Sequence, residues 1–195
     1  MFLGVATAAR AVTIDFESTP FGTVFGGQAG DIPGDIVLVE DGVNMSVQQF
    51  FFGNYVGFVK AEVGGKYAPF FPSTPLGLEN IGVLFDFTTL PFDANTVTLD
   101  YQQFGGGNNL AVNGQTIYQV NNFAELPISV APGVSAFVTN SQIILVGDIN
   151  TLRIGGQEIG IDNISIIPEP ATLVMLGLAA GVMVVSKRRA RSNRS

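Results

Sequence analysis

Val97-Thr98-Leu99-Asp100-Tyr101-Gln102 alternates an apolar side chain with a polar one at every step. A period of two puts Val97, Leu99 and Tyr101 on one side of an extended chain and the polar residues on the other, the signature of a half-buried strand. The same pattern precedes it, where Val83, Phe85 and Phe87 alternate with Leu84, Asp86 and Thr88. Working outward, short runs of this kind recur at Val12–Glu17, Ile36–Val39, Val43–Phe52, Tyr55–Val63, Thr116–Val120, Val134–Val138, Ile143–Val146, Thr151–Ile154 and Ile159–Ile167. Asp41-Gly42 and Asn113-Gly114 supply the positive φ that tight hairpins require. Gly22 to Gly34, Tyr67 to Asn80 (with three prolines) and Gly105-Gly106-Gly107-Asn108-Asn109 read as loops. No ten-residue segment of this body carries a helical period. Ten or more short strands at such spacing predict an all-β domain, a β-sandwich of jelly-roll-like form, over residues 12–167.

Composition narrows the chemistry. The chain has no Cys, His or Trp. Disulfides, most zinc, copper and haem sites, and Ser-His or Cys-His nucleophile systems are thereby excluded. Charge is divided along the chain: residues 12–167 hold fifteen acids against Lys60, Lys66 and Arg153, a net of about −12, while five of the nine basic residues lie from Lys187 onward. An acidic body of this kind repels phosphate backbones, so nucleic acid is excluded as a partner, and it suits cations or neutral glycans. Gly105-Gly106-Gly107 lacks the lysine and the strand-to-helix context of a phosphate loop. Chance pairs among fifteen carboxylates are no basis for glycoside hydrolysis, and the chain is read as a non-enzyme.

The two ends have a different character. Residues 1–11, Met1-Phe2-Leu3-Gly4-Val5-Ala6-Thr7-Ala8-Ala9-Arg10-Ala11, read as the remnant of a signal peptide, with Ala9 and Ala11 fitting an A-x-A cleavage site. Residues 168–195 begin with Pro168-Glu169-Pro170, whose two prolines remove backbone donors and stop the preceding strand. An uncharged run from Ala171 to Val185 follows, apolar all round a helix, and then the cluster Lys187, Arg188, Arg189 and Arg191. The run is shorter than the about twenty residues of an ordinary span. Its position between a proline break and four close cations nevertheless predicts a single transmembrane helix, with the basic end held on the cytoplasmic side.

Pro168-Glu169-Pro170-Ala171-Thr172-Leu173 with Met175-Leu176-Gly177-Leu178 and the basic cluster resembles the PEP-CTERM sorting signal of Gram-negative bacteria. The resemblance covers the tail alone. It implies recognition by a membrane-embedded exosortase, cleavage near the Pro-Glu-Pro motif, a transient stay in the inner membrane and transfer to the cell surface or extracellular matrix. The opening Ile14-Asp15-Phe16-Glu17 and the closing Ile161-Asp162-Asn163-Ile164-Ser165-Ile166 resemble the ends of galactose-binding-like jelly rolls. In that fold the terminal strands are neighbours, and several members hold a structural calcium ion there. On that resemblance Asp15, Glu17 and Asp162 are candidate calcium ligands, since calcium takes six to eight oxygens; the competing reading is solvated polar faces with an Asx turn at Asp162-Asn163. The aromatics Phe50, Phe51, Phe52, Tyr55, Phe58, Tyr67, Phe70 and Phe71 are read as core in preference to a sugar platform. The function expected from all this is structural or adhesive, in association with exopolysaccharide; the alternative is a carbohydrate-binding module, with or without calcium.

Overall fold

The computed structural model describes residues 10–169. Pro170, the apolar run and the basic cluster lie outside the described residues, as do residues 1–9. The strands are β1 (Val12–Ile14), β2 (Val24–Phe25), β3 (Ile36–Glu40), β4 (Val43–Gln48), β5 (Phe50–Phe52), β6 (Tyr55–Gly57), β7 (Lys60–Val63), β8 (Leu76–Glu79), β9 (Ile81–Asp86), β10 (Ala94–Val112), β11 (Tyr118–Val120), β12 (Ser129–Ala131), β13 (Val134–Val138), β14 (Gln142–Val146) and β15 (Thr151–Pro168). Two short 3₁₀ turns, Gly65–Phe70 and Phe123–Glu125, complete the secondary structure. The body is thus all-β, as the alternation predicts.

β10 and β15 pair antiparallel along almost their whole lengths, from Ala94↔Pro168 to Val112↔Leu152, and the other strands hang on this ladder. The first half of β10 takes β14 on its free side, followed by β13 and β12. The last half of β15 takes β1, through Val12↔Ile166, and β8, through Ile159↔Leu78, with β7 and β2 beyond. The other half of the ladder carries β11 beside β10 and β9 beside β15, then β4 and β3. Both halves send side chains into a single core, among them Leu99, Ile143, Ile161 and Ile164 from one and Val47, Phe85, Leu110 and Ile154 from the other. A large antiparallel sheet whose halves share one core through two common strands is consistent with a β-sandwich.

Several local expectations need correction. Gly105-Gly106-Gly107-Asn108-Asn109 is no loop; it is the corner at which β10 passes from one half to the other. Two extra residues of β10 are accommodated between Gln103 and Asn108, opposite Ile159 to Gly156. The absence of side chains permits that close approach: a Cβ on Gly155 would lie 2.9 Å from the Cα of Gly82, and one on Gly107 would enter the Phe52 ring. Thr151–Ile154 and Ile159–Ile167 are one strand, since Gly155 and Gly156 turn the same corner without leaving the ladder. Val43–Phe52 divides at Gln49, and Phe50–Phe52 pairs with Tyr55–Gly57 as a separate small sheet. Tyr55–Val63 divides likewise, into β6 and β7. The proline-rich segment is a loop only in its middle, because Leu76 and Leu78 are fully buried in β8. Strand β1 stops at Ile14; Asp15 accepts the Glu17 N–H in a tight turn (3.1 Å), and Phe16 reaches the core with φ of 59°. The Asp41-Gly42 and Asn113-Gly114 hairpins stand as read, all four residues having positive φ.

Candidate functional site

The outer face of the half carrying β1, β8, β15, β10 and β14 holds most of the chemistry that the sequence singles out. β15 alternates inward Ile159 and Ile161, then inward Ile164 and Ile166, so the phase slips by one residue. The slip is a bulge at Asp162-Asn163. Thr98 faces Ser165 and Asp100 faces Asp162, an extra residue on β15, and Asn163 takes φ of 48°. Asparagine tolerates that left-handed conformation better than most residues do. The bulge directs Asp162 outward beneath the loop that follows the first 3₁₀ turn, where it is fully buried.

There its carboxylate accepts the Ser73 hydroxyl on Oδ2 and the Asn163 N–H on Oδ1 at 2.8 Å. Thr74, next along the loop, donates its N–H to Glu17 Oε1 at 2.8 Å. Asp100 accepts from Asn163 Nδ2 at 3.2 Å and from Gln142 Nε2 at 3.0 Å. Burial pushes the Asp162 carboxyl upward; its hydrogen bonds to Ser73 and Asn163 oppose this, and the charges of Asp100 and Asp15 add to it. The structure therefore brings Asp162 and Glu17 to one loop, where they grip Ser73 and Thr74, and leaves Asp15 bonded to the Glu17 N–H, near enough for its charge to act on Asp162. Oxygens of both carboxylates are engaged in holding the loop to the sheet. Among the described residues no group of three or more His, Cys, Asp or Glu side chains is placed to hold a metal ion.

The first 3₁₀ turn, with Phe71 just after it, forms an aromatic cover. Tyr67 lies on Gly77, and Phe71 lies on Gly160, two glycines paired across β8 and β15; a Cβ on either would strike the ring above it. Phe104 packs on Tyr67 at 4.8 Å and on Phe70 at 4.7 Å between ring centroids. Tyr67 is buried, and burial pushes its phenol up to about 12. Phe70 is 61% exposed. The expectation that the aromatics of this region are core holds for Phe50 and Tyr67 and fails for Tyr55 and Phe70, which stand on the surface.

Phe104 also borders an open groove of about 410 Å³ whose lining includes Gln102, Gln103, Asn122 and Asn140. Gln102, Asn122 and Asn140 offer amide donors and acceptors, the Gln103 amide being turned onto the carbonyls of Gly106 and Asn121, and the aromatic offers an apolar wall. Gln102 is the last polar position of the Val97–Gln102 alternation and Gln103 breaks it by placing a second amide where an apolar residue is due, the one local sign of this site in the sequence. The groove could take a hydroxyl-rich neutral molecule.

Of the tail motif, Pro168 closes β15 opposite Ala94, and Glu169 accepts from Asn95 Nδ2 at 3.0 Å. Pro170, Lys187, Arg188, Arg189 and Arg191 lie outside the described residues. Among the described residues no helix is long and apolar enough to cross a membrane. No family model, curated protein or solved structure matches the chain.

Proposed function

We propose that this is an exported cell-surface or extracellular-matrix protein of a Gram-negative bacterium, sorted and trimmed by an exosortase, with a structural or adhesive, non-catalytic role among exopolysaccharide. The observation that carries this is the order Pro-Glu-Pro, apolar run, basic cluster from Pro168 to Arg191. The end of the ladder supports it: β15 finishes at Pro168, so cleavage just beyond Glu169 removes no paired strand from the jelly-roll-like body. The test is intact mass in exosortase-positive and exosortase-negative strains. Loss of the tail in the first alone is expected; identical masses in both would end the proposal. Replacing Lys187, Arg188, Arg189 and Arg191 with neutral residues should disturb orientation of the anchor before processing.

The second reading is a carbohydrate-binding module, favoured by the groove of Gln102, Gln103, Asn122 and Asn140 beside Phe104. A glycan array with the full chain and with Gln102→Ala tests it, glycan capture lost in the variant being the expected result. Its calcium-dependent form draws on Asp15 and Asp162, whose charges oppose each other, and requires Glu17 to release Thr74. Melting in EDTA, calcium and magnesium separates the forms. A rise with calcium alone upholds the ion, and three superimposed curves remove it.

A further inference from the structure

The body contains three cations, and they are not treated alike. Lys60 sits 2.7 Å from Glu62 and 3.7 Å from Glu79, while Lys66 sits 3.3 Å from Glu79 and 3.4 Å from Glu158. Arg153 has no carboxylate partner among the described residues, although the body around it carries a net charge of about −12. It lies on β15 between the fully buried Leu152 and Ile154, so its side chain takes the opposite, outer face. In register it has Leu84 of β9 on one side and Ala111 of β10 on the other.

The guanidinium is half-desolvated there. One Nη donates to the Gln49 carbonyl, the group stands 5.3 Å from the centroid of the Phe51 ring, and Nε is buried without an acceptor. Burial lowers its pKa, which is the thermodynamic expression of lost hydration without a counter-charge. Arginine presents five N–H donors in a planar fork that matches a carboxylate, and one carbonyl and an aromatic face leave part of that fork unused. Beside it opens a groove of about 240 Å³, walled by Leu84, Ala111 and Ile117, with Gln48 and Gln115 as its polar members. That is smaller than the roughly 300–1,000 Å³ of ordinary ligand pockets, which suits a single ring.

We propose that the Arg153 groove binds one uronic acid residue of a glycan, the sugar carboxylate on the guanidinium, an apolar face of the ring on Leu84 and Ile117, and hydroxyls on Gln48 and Gln115. The acidic body repels a densely charged polyuronate, so the ligand is an isolated uronate within an otherwise neutral chain. The exopolysaccharide reading above supplies the source of that ligand. This site is remote in sequence from the amide groove and differs from it in selecting charge.

Calorimetry on the full chain, kept in solution by a detergent without a sugar headgroup, compares methyl glucuronide with methyl glucoside. At least tenfold preference for the glucuronide is expected, with Arg153→Gln abolishing the preference and Lys66→Gln leaving it intact. Equal binding of the two glycosides, no heat from either, or a preference that survives Arg153→Gln would overturn the site. Should Arg153→Gln fail to fold, amide chemical shifts of the wild type decide: movement at Leu84, Gln115 and Ile117 upholds the groove, and movement elsewhere or nowhere overturns it. Loss of the tail in exosortase-positive cells is measured separately, so failure here leaves the sorting proposal standing or falling by itself.

Discussion

The ladder of β10 and β15 departs from regular pairing in two main places, and it solves the same geometrical problem with opposite chemistry. At the corner, Gly105, Gly106 and Gly107 pass Gln157 and Glu158 while Gly155 meets the backbone of Gly82, and side chains are left out where ring or backbone stands too close for a Cβ. At the bulge, an extra residue is accommodated by Asn163 in the left-handed region, and Asp162 is turned into a buried polar seam under Ser73. The first solution is indifferent to pH and intolerant of a side chain at Gly155, where the nearest atoms are backbone. The second tolerates substitution but ties stability to a titrating group.

The corner should break hardest. Gly155→Val places its Cβ 2.9 Å from Gly82 Cα and 3.0 Å from the Ile81 carbonyl oxygen, both backbone atoms that cannot rotate away. A loss of about 3 kcal/mol is expected, read by urea unfolding; a loss well under 1 kcal/mol would mean that β15 and β9 are not held by that approach. Asn109→Ala comes next. Its amide bridges the Phe51 N–H at 2.9 Å and the Phe51 carbonyl at 2.5 Å, standing in for a strand partner, and truncation strands both groups at a loss of about 2 kcal/mol. Amide hydrogen exchange at Phe51 should rise with it, while that at Val97 should not.

Legibility in the sequence follows the range of the forces involved. Asp41-Gly42 and Asn113-Gly114 are local, their turns being set by the φ values those residues accept, and they are read without neighbours. Three glycines in a row have the same local preference, but at Gly105–Gly107 the partner strand overrides it, and that partner lies some fifty residues away at Gln157, whose Oε1 accepts the Gly107 N–H (|i−j| of 50). The bulge was half visible. Ile159, Ile161, Ile164 and Ile166 cannot all face inward on a regular strand, and the spacing of three between Ile161 and Ile164 marks the slip. What could not be read was the loop over the bulge: Ser73 and Asp162 are 89 positions apart. Arg153 was legible as one of three cations, but its lack of a carboxylate and its groove emerge only when β9, β10 and β15 are side by side.

At the bulge itself, Asn163→Ala should cost about 1 kcal/mol, because alanine pays for a φ of 48° that asparagine accepts more readily and because the bond to Asp100 is lost. Restoration by Asn163→Gly at least in part would attribute the loss to backbone conformation; equal losses in both variants would attribute it to the bond.

Asp162→Asn is the smallest change and the sharpest discriminator. The folded protein raises this carboxyl above its ordinary 3.8, with burial the main cause and Asp100 and Asp15 contributing. A raised folded value means that the folded state holds the proton more tightly than the unfolded chain does. The associated stability is complete below 3.8 and disappears as pH rises through the folded value, so at neutral pH the ionised Asp162 is a net burden on the fold. Asparagine keeps an acceptor for the Asn163 N–H and can donate to the Ser73 oxygen without the buried charge. Asp162→Asn should therefore melt at or slightly above wild type at neutral pH, and the difference should vanish as pH falls toward 3.8. Glu40 is raised in the same direction, also chiefly by burial, so some pH dependence survives in the variant and Glu40→Gln should remove a further part. Gly155→Val, acting where nothing titrates, should lower the melting point by the same amount at both ends of that range. If Asp162→Asn is instead destabilised equally at every pH, the carboxylate is serving as a hydrogen-bond acceptor that an amide cannot replace, and the two breaks in the ladder are alike in being indifferent to protons.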